Sequence, residues 1–312
     1  MKKSWIQVSY RFLCFILLML LITSCAGKSE DVKSVGNSKD AIKTKHYQFY
    51  ASETVPFKAN LRTGEIGVLN LKRNVPKGWL PNEKMVKETV LNLDNIWQHV
   101  NGLLEGEMIL MVNMFITHGG WGSTAIRGEG TILVSAMHFD NMSMDDILNR
   151  TAHESCHLGL YDMSKRKIID SKNKFIDEGI ALYAGYDYTG KLDWLINTSK
   201  KIATEDYQAG KASMEYLRNW QENVRNNQGR WLREWAKRNP GKRPTTEDFI
   251  KGGYRSYFTA YNFIKFFNNK YGKNKLLDIV RSMGDSDIRV SFPIVVGQSL
   301  DSFVSEWHAS LK

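Results

Sequence analysis

His153-Glu154-Ser155-Cys156-His157 sets two imidazoles four positions apart with a carboxylate beside the first. On a helix, positions four apart share one face about 6 Å apart, so both rings can reach one tetrahedral zinc while the glutamate flanks it. With only seven histidines in the chain, a chance match to this pattern is expected roughly once in a hundred such sequences. A helix is what the preceding residues call for: Ser143 and Asp146 have capping-box spacing, and start a helix about ten residues ahead of His153. A catalytic zinc also needs a third protein ligand and an open position for water. Beyond His157 only His308 remains, near the C-terminus, so a carboxylate is the economical third ligand.

Phe175-Ile176-Asp177-Glu178-Gly179-Ile180-Ala181-Leu182-Tyr183 follows His157 by about twenty residues and reads as a second amphipathic helix. Here the chain resembles the gluzincins, the thermolysin-like and aminopeptidase N-like peptidases, whose third ligand is the Glu of an EGxAxY-type segment at comparable spacing. Glu178 matches that ligand. The resemblance implies Zn2+ held by His153, His157 and Glu178, with Glu154 as general base in peptide hydrolysis. The metzincin arrangement needs a glycine three residues and a His or Asp six residues after the second histidine. Leu160 and Met163 stand there, with Gly159 and Asp162 one position out of register. Asp177 reads either as a group behind the ligands or as a solvated carboxylate at a helix start. Gly179 is expected to let the two helices approach closely.

Tyr257-Phe258-Thr259-Ala260-Tyr261-Asn262-Phe263, followed by Tyr271-Gly272, is similar to the YxxSxxFxxxL...YG segment of peptidase MA-like domains, with Ala260 where Ser is common. A tyrosine of such a segment stabilises the oxyanion in aminopeptidase N-like enzymes. Tyr257 fits that position, with Tyr254 and Tyr261 near enough to compete. The resemblance spans residues 138–282, about half of the mature chain. It implies an α+β, zincin-like fold: a small twisted sheet packed on the active-site helix, then a mainly helical lobe. It also implies a substrate-binding edge strand, for which Gly128-Glu129-Gly130 leading into residues 131–136 is the natural choice. The GxMEN motif that binds a free amino terminus has no counterpart here.

The elements that must position these residues follow from periodicity. Alternation in His46-Tyr47-Gln48-Phe49-Tyr50 and in residues 66–71, split by the turn signal Arg62-Thr63-Gly64, predicts a strand pair. Met85, Val86, Val90, Leu93, Ile96, Trp97 and Val100 recur at helical spacing and predict a helix of about 18 residues. Residues 107–117 and 130–136 read as strands. Later helices are expected over 174–185, 212–237, 256–271, 273–282 and 300–311.

The N-terminus stands apart. Residues 1–24 combine Lys2, Lys3 and Arg11 with the apolar run 12–22 and no acidic residue, the pattern of an export signal. Leu21-Ile22-Thr23-Ser24-Cys25 resembles the bacterial lipobox, which implies lipidation of Cys25 and anchoring to a bacterial membrane on its periplasmic or surface side. Residues 25–45 read as a flexible tether, rich in Lys, Ser, Asp and Gly. The domain expected from 46–312 divides into an α/β lobe over 46–165 and a helical lobe over 166–312. Without the signal's three basic residues the formal charge of +10 falls to +7. The basic residues are scattered, which fits solvated helix faces and gives no reason to expect nucleic acid. Cys156 is the one cysteine left in the mature domain once Cys25 carries lipid, so no internal disulfide is expected. Its place in the motif suits a small buried thiol. The implied partners are a peptide or protein substrate and the membrane; oligomeric state is open. A non-catalytic lipoprotein of the same fold, acting in binding or envelope assembly, is the alternative.

Overall fold

The computed structural model describes residues 41–50, 82–117, 123–127, 130–135, 139, 143–169, 172–219, 227–239, 244–284 and 286–312. It is α+β, mainly helical, with one small mixed sheet. Strands β1 (Ile42–Lys43) and β2 (Tyr47–Tyr50) precede helix α1 (Glu83–Leu103); β3 (Val112–Thr117), β4 (Thr124–Ile126) and β5 (Thr131–Ser135) precede helix α2 (Met144–Met163). Sheet order is β1-β2-β3-β5-β4: β2, β3 and β5 run parallel in the middle, and β1 and β4 close the two edges antiparallel.

Ile42 pairs with Phe49 and Lys43 with Gln48, so folded chain begins ahead of His46. The expected pairing of β2 with residues 66–71 is corrected here. Those residues lie outside the described ones, and both sides of β2 are already taken by β1 and β3. The edge-strand role expected of residues 131–136 is also corrected: β5 lies between β3 and β4, and the edge beside α2 is β4.

Period-two alternation splits the sheet's side chains between two faces. Tyr47, Phe49, Val112, Met114, Ile116, Ile132 and Val134 point into the main core, shared with α1 and α2. Phe115, Ile126 and Leu133 form a small cluster on the opposite face, covered by Tyr50. The α1 stripe is Val86, Val90, Leu93, Ile96 and Val100, and Asn82 caps its start by accepting from the Met85 amide at 3.2 Å. Ser143 does the same for α2, accepting from the Asp146 amide at 3.3 Å. From the middle of the sheet, Tyr47 reaches α2 and shares a buried hydrogen bond of 2.8 Å with Ser155.

After a 3-10 turn at Lys167–Ile169 come α3 (Lys174–Tyr188), α4 (Leu192–Gln208), α5 (Met214–Arg218), α6 (Asn227–Arg238) and α7 (Thr246–Phe249). A π-helical turn, Ile250–Tyr254, leads into α8 (Arg255–Tyr271), then α9 (Lys273–Ser282), α10 (Ile288–Val296) and α11 (Leu300–Ala309). The single helix expected over 212–237 is two, α5 and α6. α4 went unread because its buried face carries Ser199 and Asp206 among Leu195, Ile202 and Ala203. Asp206 is bonded there by Arg255 at 2.9 Å and Thr259 at 2.7 Å. α10 went unread because Ile-Arg-Val-Ser-Phe-Pro-Ile-Val-Val is rich in β-branched residues and holds Pro293 within the helix. The hydrophobic core is built from residues between Ile42 and Leu311, inside a compact unit of residues 35–312 that therefore carries its own core.

Two glycines set the helix spacing. A Cβ at Gly179 would lie 2.7 Å from Ile264 Cγ1 and 3.1 Å from the Ala260 carbonyl oxygen, so Gly179 admits α8 rather than α2. The close approach of α3 to α2 is made at Gly185, where a Cβ would meet the Asn149 carbonyl oxygen at 2.7 Å. Gly179→Ala should therefore destabilise the protein by about 1–3 kcal/mol through overpacking. Gly102→Ala, with nothing within 4 Å of its Cβ, should gain about 0.5 kcal/mol of helix propensity. Urea midpoints measured side by side check both signs.

Candidate metal centre

α2 carries His153 and His157 on one face, and α3 packs across it to present Glu178. The ligand-competent atoms form a near-regular triangle. His153 Nε2 and His157 Nε2 are 3.1 Å apart, and each lies 3.4 Å from Glu178 Oε2. Tetrahedral zinc with donors at about 2.0–2.1 Å sets them roughly 3.3–3.4 Å apart, so the donor set matches that ion in size as well as type. It is the group of three or more His, Cys, Asp or Glu residues with this property among the described residues. The two rings stand perpendicular, with centroids 4.7 Å apart. His153 is the most exposed of the three ligands, at 15 %, and marks the open side.

Behind the ligands sits Asp177, with no exposed surface. Its Oδ1 is 2.6 Å from His157 Nδ1, and its Oδ2 accepts from Arg127 Nη2 at 2.8 Å and from Lys174 Nζ at 2.5 Å. A carboxylate on Nδ1 keeps the proton there and turns Nε2 toward the ligand triangle, while raising the ring's basicity. Lys174 also pairs with Glu178 Oε1 at 2.7 Å, leaving Oε2 for the triangle. The two readings left open for Asp177 are thereby decided: it is the buried group that orients His157.

The charges hold one another in place. Burial would raise the Asp177 carboxyl, but Arg127, His157 and Lys174 outweigh it and keep the group well below the usual range. Glu178 is likewise held down against burial, by Lys174, His157 and bonds from both imidazoles. For His157, burial pulls down while Asp177 and Glu178 pull up more strongly, and the net direction is upward. Arg127 stays charged because Asp177, Glu178 and Glu154 together outweigh its own desolvation. Its Nε is buried with no acceptor among the described residues.

Glu154 is 8 % exposed, follows His153 on α2, and faces the same Arg127 charge. Cys156 is fully buried, and burial pushes its thiol up, away from reactive thiolate character. Among the tyrosines, Tyr254 ends the π-helical turn and its ring stacks on Tyr257 with centroids 5.4 Å apart. Burial raises the Tyr254 phenol, with Arg150 pulling it down in part and the Glu178 charge adding a smaller upward pull. Tyr257 is half-buried against the main core. Tyr261 belongs to a separate apolar cluster with Leu195, Ile202 and Phe258. Glu129 and Cys25 lie outside the described residues.

Sequence reasoning missed Arg127 and Lys174. Lys174 had a signal, since it stands three and four positions before Asp177 and Glu178 on one helix. Arg127 had none, fifty residues away from Asp177 at the end of a three-residue strand.

Comparison with protein-family models, curated proteins and solved structures found no match.

Metal analysis of protein never exposed to chelator should give one zinc per chain, absent from His157→Ala and Glu178→Ala. Asp177→Asn should keep the ion but bind it about 10- to 100-fold more weakly, as loss of an orienting carboxylate does. Competition against a chromogenic chelator reads that difference, with circular dichroism confirming that each variant is folded.

Proposed function

We propose that this chain is a zinc-dependent peptidase of the gluzincin kind, held at a bacterial cell envelope by a lipid on Cys25. The observation that carries the reading is the His153–His157–Glu178 triangle, sized for tetrahedral zinc and backed by a buried carboxylate on His157. The α+β architecture supports it, with the motif helix against a small sheet and Glu178 on the next helix.

Zinc at these three ligands would polarise the scissile carbonyl and bring the pKa of water toward neutrality. Glu154 takes the proton of the attacking water and delivers it to the leaving amine, working from the same helical turn as His153. Asp177 and Lys174 keep His157 and Glu178 in their orientations through the cycle. A phenol of the stacked Tyr254–Tyr257 pair, Tyr257 by its place in the segment, donates to the oxyanion, a contribution of about 3 kcal/mol. β4 offers an edge along which an extended peptide backbone can pair beside α2.

Glu154→Gln should keep its zinc and lose roughly two to four decades of turnover on whichever member of a peptide library the wild type cleaves best. Retained activity sinks the general-base role. Zinc bound with no library member cleaved favours the binding or assembly alternative. Tyr257→Phe should cost roughly a hundredfold in kcat and Tyr254→Phe less; the reverse order moves the oxyanion role to Tyr254. Cys25→Ser should abolish incorporation of labelled fatty acid in cells, which tests the anchor separately from the chemistry.

A further inference from the structure

On a face built by other elements, a cleft of about 420 Å3 opens between Lys172 ahead of α3, Glu215, Arg218 and Asn219 at α5, and Arg289 in the first turn of α10. Three cations meet there against the one lining carboxylate, Glu215. Lys172 and Arg289 form no ion pair among the described residues. Arg218 gives one nitrogen to Asp287 at 2.5 Å, while its Nε is buried with no acceptor among the described residues. Planar guanidinium groups such as those of Arg218 and Arg289 suit phosphate oxygens best.

The same helix says where that anion comes from. α10 exposes Val290 (54 %) and Ile294 (77 %), one helical turn apart. Arg289 and the exposed Pro293 form the adjoining row of the same helix, so the apolar stripe begins at the cationic cleft. Apolar side chains beside basic ones on one helix face are the composition of an interfacial membrane contact.

We infer that this face docks on a membrane, with the phosphate of an anionic phospholipid in the Lys172–Arg218–Arg289 cleft and Val290, Pro293 and Ile294 in the bilayer interface. The inference rests on the reading of the chain as envelope-anchored. From Cys25 to Ile42 the chain reaches at most about 60 Å when fully extended, so a lipid on Cys25 keeps the folded unit within reach of the same bilayer and makes the second contact effectively intramolecular.

The test uses residues 35–312, which carry their own core and neither the apolar leader nor Cys25. Co-sedimentation with phosphatidylcholine vesicles, with and without phosphatidylglycerol, should show binding to the anionic vesicles only, weakening as salt is raised. Lys172→Glu with Arg289→Glu should reduce that binding by roughly tenfold or more. Ile294→Asp should reduce it as well, with zinc content and circular dichroism unchanged in each variant. Equal binding to neutral vesicles, or full binding by the charge-reversed protein, overturns the proposal. Loss on charge reversal but not on Ile294→Asp also overturns it, and assigns the cleft to free phosphate. The assay reads neither hydrolysis nor lipidation. Failure here with zinc in place leaves the peptidase reading standing, and fatty-acid labelling decides the Cys25 anchor on its own.

Discussion

A carboxylate with no exposed surface cannot be left charged without compensation, because desolvation alone costs several kcal/mol. Asp177 meets that condition with three partners drawn from three different elements: Arg127 from the sheet edge, His157 from α2 and Lys174 from its own helix. Their separations are fixed by hydrogen-bond lengths, so the carboxylate sets the distance between β4, α2 and α3 more tightly than apolar packing could. The donor triangle inherits that precision. His157 is turned by Asp177, and Glu178 is turned by the same lysine that Asp177 binds. Removing one member would leave its partners as buried, unpaired charges, so the cluster stands or falls as a unit.

Packing then makes the cluster rigid. Gly185 lets α3 lie against the α2 backbone, and Gly179 lets α8 lie against α3 on the other side. Through α8 the π-helical turn brings Tyr254 within the field of Glu178, a phase that a continuous helix from Ile250 would not give. From the sheet, the Tyr47–Ser155 bond fixes the turn of α2 that carries His153 and His157. Ser155 and Cys156, the variable positions of the motif, are both fully buried. They serve the core while their neighbours serve the site.

Much of this could be read from the chain. Local signals were legible: the Ser143 cap, the periodicity of α1, the motif helix, and Glu178 on a second helix. Signals that depend on distant partners were not. α4 looks too polar to be buried because the ion pair that satisfies Asp206 comes from Arg255, on another helix. β4 is three residues long and has no periodicity to detect, yet it closes the sheet and carries Arg127 to the site. Gly179 was correctly read as a contact glycine but assigned to the wrong neighbour, since a lone glycine marks a close approach without naming what approaches. Asp177 was ambiguous for the same reason: a helix-start carboxylate becomes a buried hub only when cations from elsewhere are placed on it.

Asp177 and Lys174 act on the candidate donors in opposite directions. Asp177 draws on the Nδ1 proton of His157 and makes Nε2 a stronger donor. Lys174 takes one oxygen of Glu178 and weakens the other as a donor, while holding the group's pKa well below the usual carboxylate range. Counted together, the carboxylates of Glu154, Asp177 and Glu178 exceed the charges of Arg127 and Lys174 by one. A dication held by the triangle would reverse that balance to one net positive charge. Both protein cations contact the Asp177 side of the cluster, and His153 is the most exposed of the three candidate ligands. The arrangement thus keeps the Asp177 and Glu178 carboxylates ionised within the protein, with one net negative charge for a bound cation to meet.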